Sequence, residues 1–269
     1  MKFSERKGYK PLPTIIQREF ISDELRITLW NYLQIILWDK RGFLNNEYGN
    51  NGEIQRFSSL LWYDLKKPID TLPELSHRIL SEIRKYYFQA AWYEAYDFID
   101  FTLNYLNKEE NYIYVNNILE KELSGYRFVN RVLTDITSKE EIEAIEQAMS
   151  TDEYPGVKNH LQRALELLSD KIKPDYRNSI KESISAVESI AREITGVPKA
   201  TLGDALKILE KNNKLHTALK DGFSKIYGYT SDKGGIRHAM LEEPNIDLAD
   251  ARFFLIACSS FINYLKSKK

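Results

Sequence analysis

Residues Pro174–Gly196 read PDYRNSIKESISAVESIAREITG. Pro174–Asp175 makes a helix start, and Ile180, Ile184, Val187, Ile190 and Ile194 then recur every third or fourth residue. One face of the segment is therefore apolar, and Gly196 and Pro198 close it. A long helix with one apolar stripe has to bury that stripe against other helices, which makes this region a compact helical unit.

The flanking sequence repeats the pattern. Val157–Leu168 carries Leu161, Ala164, Leu165 and Leu168, Thr201 caps a helix to about Leu209, and Leu215–Tyr227 and Leu248–Leu265 follow. Upstream, Ser22 with Asp23 and Glu24 is a capping hydroxyl followed by acids in a first turn. That helix ends near Asp39–Gly42, and residues 45–52 form a loop. Further helices are expected from Glu53 to Leu65, from Pro73 through Tyr86, over Phe88–Leu106, and from Tyr112 to Ser124–Gly125. Tyr126–Val129 and Arg131–Ile136 are β-branched or aromatic around Asn130 and predict a short hairpin. Thr137–Met149 returns to helix. The run STDEYPG, Ser150–Gly156, marks a boundary between residues 1–149 and 150–269. The expected fold is mainly α: two helical domains, the first with a small hairpin, the second a helical bundle.

The chain has 269 residues and a net charge of −1. Residues 1–150 hold 19 Lys/Arg against 23 Asp/Glu, a net −4, and residues 151–269 hold 19 against 16, a net +3. That asymmetry is too small to announce a nucleic-acid binder, but it assigns any anionic partner to the second half. The sequence has no run of about 20 apolar residues and no secretory signal, so the expectation is a cytoplasmic protein without a membrane partner. Cys258 stands alone, which excludes an internal disulfide framework. It lies in the apolar stretch Phe253–Phe261 and reads as a buried, inert thiol.

The stretch with most chemistry is Tyr227–Leu241, YGYTSDKGGIRHAML. A Gly-rich polar loop delivers Arg237 and His238 together. Arginine grips phosphate with a fixed fork of donors, and histidine moves protons near neutral pH. Ser231, Lys233, Gly234 and Gly235 could line a phosphate-accepting turn of backbone amides. Glu188 and Arg192, one turn apart on the long helix, either complete such a site or form an ordinary ion pair. His238 and Glu242 are too few for a metal site, and no cofactor is expected. Glu94, Asp97 and Asp100 form a carboxylate stripe, read as a solvated face or as a seat for a cation or basic partner. Arg6, Lys7, Tyr9 and Lys10 read as a packed arm or a nucleic-acid contact. His77, His160 and His216 are isolated and receive no role.

Two sets of segments resemble known modules. FSERKGYKPLPTIIQREFISDELRITLWNYL and WYEAYDFIDF resemble an N-terminal domain of AbiJ-type abortive-infection proteins. PDYRNSIKESISAVESIAREITG, YGYTSDKGGIRHAM and DLADARFFLIACSSFINYL resemble the HEPN-type helical domain. The resemblance implies a bacterial antiphage protein: a sensor-like module before an all-helical, usually dimeric HEPN module that in active members cleaves RNA without a metal. The family motif is an arginine, a polar residue, and a histidine a few residues on. Arg237 and His238 fit its first two positions, but the positions for the second histidine hold Leu241, Glu242, Glu243 and Pro244. Two readings therefore stand. One is a metal-independent endoribonuclease using Arg237, His238 and Glu188, with Arg192, Ser231, Lys233, Gly234 and Gly235 holding phosphate. The other is a non-catalytic sensor, dimerisation or binding module. Expected partners are RNA, a second copy of the chain, and a phage-derived trigger or partner protein.

Overall fold

The computed structural model describes residues 16–39, 52–150, 153–170, 173–231 and 246–268, with Phe3 and Lys7. By internal packing the chain divides into two units, Met1–Arg131 and Val132–Lys269. The described residues form eleven α-helices and one two-stranded hairpin, as the mainly α expectation requires.

In the first unit, Ser22 caps α1 (Asp23–Leu33), its hydroxyl oxygen accepting from the Leu25 N–H at 3.2 Å. The helix widens into a π turn over Gln34–Asp39. Then come α2 (Gly52–Asp64), a 3-10 turn at Ile69–Thr71, α3 (Ser76–Gln89), α4 (Trp92–Leu106) and α5 (Glu109–Lys121). Phe88 closes α3 rather than opening the next helix, because the chain is extended at Ala90 and Ala91. There the Ala91 N–H donates to Glu94 Oε2 at 2.7 Å, starting α4 afresh. The core is aromatic. Tyr87 and Phe98 rings lie 5.1 Å apart, Trp30 lies 5.4 Å from Tyr87, and Phe57 meets Tyr105 edge-on at 5.1 Å. Polar handles lock it: Arg26 Nη1 donates to the Tyr87 carbonyl at 2.5 Å, and the Tyr87 hydroxyl donates back to the Arg26 carbonyl at 3.0 Å.

Gln17 joins the two ends of this unit. Its N–H donates to Leu123 O at 2.8 Å, its carbonyl accepts from the Gly125 N–H at 2.9 Å, and its side chain donates to Glu122 O at 2.6 Å. Gly125 is required there, since a Cβ would lie 2.8 Å from Arg18 Cγ and 3.0 Å from Gln17 O.

β1 (Arg127–Val129) and β2 (Val132–Thr134) form the expected hairpin. Asn130 and Arg131 both take left-handed conformations, φ 42° and 69°, the backbone of a type I′ turn. The packing division falls inside this hairpin, ahead of the Ser150–Gly156 linker.

The second unit contains α6 (Lys139–Met149), α7 (Pro155–Ser169), α8 (Tyr176–Thr195), α9 (Leu202–Lys211), α10 (Thr217–Ser231) and α11 (Leu248–Lys266). α8 is the hub, packed by α7, α9, α10 and α11. Ile180, Ile184, Val187 and Ile190 are fully buried, each contributing about 1.5–3 kcal/mol, and Ile194 at the helix end is only partly covered. α7 runs against α8 at close range. Ser179 Oγ donates to Ala164 O at 2.8 Å, and a Cβ on Gly156 would collide with Ser189 Oγ.

α11 has the length and composition to cross a membrane, yet Phe254, Leu255, Cys258, Phe261 and Ile262 are buried in this unit. Its polar residues hold α6: Arg252 pairs with Glu141, Asn263 Nδ2 donates to Ala144 O at 2.9 Å, and Lys266 donates to Ala148 O at 2.7 Å. Burial pushes the Cys258 thiol up, so it stays protonated.

Candidate functional site

Of the residues singled out by sequence, Glu188 and Arg192 come together on α8. Arg192 Nη2 donates to Glu188 Oε1 at 2.7 Å, and Arg192 Nε donates to the Ala200 carbonyl at 2.7 Å. The second bond ties the end of α8 to the chain entering α9. α10 runs on through Ser231, so Tyr227–Ser231, the first part of the stretch read as a loop, are helical. Lys233, Gly234, Gly235, Arg237 and His238 lie outside the described residues.

Glu188 and Arg192 line a cleft of about 450 Å³ with His160, Ser185, Ser189, Glu193, Gly196 and Pro198. His160 has no recognisable sequence context, but the antiparallel packing of α7 on α8 sets it opposite Glu182. Its Nδ1 lies 2.6 Å from Glu182 Oε2. A carboxylate on Nδ1 fixes the orientation of the ring. The cleft thus contains an imidazole backed by one carboxylate and a guanidinium backed by another, with two serine hydroxyls beside them. Such groups can donate to an anion and exchange a proton.

The carboxylate stripe of the first unit lies elsewhere. Glu94, Asp97 and Asp100 on α4, with Asp64, Lys66, Lys67 and Tyr86, line a separate cleft of about 630 Å³. Burial, then the nearby Asp97 and Asp64 charges, push the Asp100 carboxyl up to about 6, against a bond from Asn104 that lowers it. Lys67 Nζ sits 4.8 Å from the centre of the Tyr86 ring, a cation–π contact. Among the described residues no group of three or more His, Cys, Asp or Glu side chains could hold a metal ion.

The apolar residues Phe253, Phe254, Ile256 and Phe261 of α11 divide between the interior of their own unit and its surface. Phe261 stacks on Phe223 at 3.6 Å and Phe254 is buried, whereas Phe253 remains 55% exposed.

No curated protein and no solved structure matches the chain. Residues 1–151 match the family described as AbiJ N-terminal domain 4. The match takes in the whole first unit, the hairpin and α6, and ends at residue 151, ahead of α7. The chain therefore belongs to the AbiJ N-terminal domain 4 family and is related to abortive-infection defence.

Proposed function

We infer that this is an antiphage protein in which the AbiJ-type module answers to a phage-derived trigger and the C-terminal helices form a HEPN-like effector, or effector-derived, unit directed at RNA. The observation that carries this reading is the α7–α8 cleft, which Glu188, Arg192 and His160 line, in the same unit that carries Arg237–His238. Metal-independent RNA cleavage needs one group to take the 2′-hydroxyl proton, one to protonate the leaving 5′ oxygen, and a cation for the phosphorane charge. His238 and Arg237 suit these roles. Glu188 Oε1 is already engaged by Arg192, so two copies of the chain, each giving one His238, are the better source of both proton-transfer groups. The protein would then act as a cytoplasmic homodimer.

The second reading, a non-catalytic RNA- or protein-binding module, is favoured by Arg192: its bonds to Glu188 and Ala200 brace the fold. Mixed RNA incubated with purified protein and EDTA, beside the Arg237→Ala/His238→Ala variant, separates the two. Cleavage that survives EDTA and is lost in the variant supports the enzyme. Intact RNA together with retained protection in cells supports the binding module.

A further inference from the structure

The imidazole and the guanidinium of the α7–α8 cleft each have a carboxylate behind them: Glu182 at His160 and Glu188 at Arg192. Paired in this way, the two carboxylates orient donors rather than repel an anion. A guanidinium has five N–H groups, and the bonds to Glu188 and Ala200 use two of them. The imidazole bond occupies Nδ1 and leaves Nε2 as the ring's other polar atom. Ser185 and Ser189 add hydroxyls from the same face of α8. We propose that this cleft is a binding site for a single phosphodiester and the nucleoside attached to it, with Arg192 receiving the phosphate and His160 the sugar or base.

The spacing supports that division of roles. Glu182 and Glu188 mark the levels of the imidazole and the guanidinium along α8, and six residues of helix separate them by about 9 Å. One phosphate cannot bridge that gap, but a nucleotide can lie along it, and the cleft volume of about 450 Å³ accommodates one. Glu193 also lines the cleft beside Arg192. A second phosphate close to Arg192 would meet its charge, so the site selects one phosphate rather than a polyphosphate. The proposal rests on the RNA-directed reading of this unit and names the part of the RNA that it holds.

The test uses the full chain and three probes: the dinucleotide UpA, its 2′-deoxy analogue, and inorganic phosphate. The four histidines report separately by NMR of the imidazole C–H signals. UpA and the deoxy analogue are both expected to shift His160 while His77 and His216 stay in place. Arg192→Lys, which keeps the charge but loses the fork, should weaken binding about tenfold. Glu182→Gln should weaken it less, and inorganic phosphate alone should bind more weakly than either dinucleotide. A silent His160, or equal shifts at all histidines, overturns the site. So does unchanged affinity in a folded Arg192→Lys protein. Binding of the deoxy analogue without any RNA cleavage keeps the site and removes the enzyme. Cleavage of mixed RNA that persists in His160→Gln and Arg192→Lys proteins, with no dinucleotide bound, keeps the enzyme and removes the site.

Discussion

The two units reach stability by different packing. The first builds its core from large rings, Trp30, Phe57, Tyr87 and Phe98, and fixes them with buried polar bonds such as Arg26 to Tyr87. The second packs aliphatic stripes around α8 and lets α7 come close through Gly156, Ala164 and Ser179. Rings with polar handles specify one arrangement through directional contacts, whereas close aliphatic helices specify it through shape. The first kind of core is broken by removing volume, and the second by adding it.

The largest effect should come from Trp30→Ala, which empties the ring cluster at a cost of about 3–5 kcal/mol. Chemical denaturation gives the magnitude. Hydrogen exchange should place the loss in α1, α3 and α4 and spare α8; equal loss in α8 would mean that the two cores melt together. Next comes Gly156→Val, which drives a side chain into Ser189 and should cost about 1–3 kcal/mol in the second unit. Pairing it with Ser189→Gly should recover part of that loss, and no recovery would mean that the cost is not a collision. The smallest effect concerns charge. The folded state holds the Asp100 proton more tightly than the unfolded chain does, with the carboxyl raised from 3.8 to about 6. The wild type therefore gains stability as pH falls from about 6 towards 3.8, and above that window Asp100 is a burden. Asp100→Asn should stabilise the protein by about 1 kcal/mol at pH 7, and the advantage should vanish near pH 4. A constant advantage across that range would remove the ionisation argument.

Elements were legible where periodicity or a cap marks them. The stripe of α8, the Ser22 and Thr201 caps and the turn at Asn130 are local patterns, and the structure contains each of them. The break between α3 and α4 was not legible, because both sides are aromatic and only the Glu94 bond separates them. Long-range polar pairs left no local trace: Arg26 meets Tyr87 across 61 positions and Glu141 meets Arg252 across 111. The site divided in the same way. Glu188–Arg192 is an i,i+4 pair visible in the sequence, but the partner of His160 emerged only when α7 packed against α8 and brought Glu182 to its ring.

Gln17 makes the order of synthesis matter. Its side-chain bond to Glu122 closes a loop of 105 positions, and Gly125 completes the staple. A nascent chain that has reached Leu119 already contains the sequence of every ring in the Trp30 cluster, but the backbone of Gln17 still lacks its bridge partner. That bridge waits for Ser124 and Gly125 to emerge, and closure over so long a span is slow relative to helix formation. The first unit therefore seals late in its own synthesis, just as the hairpin that leads into the second begins to appear.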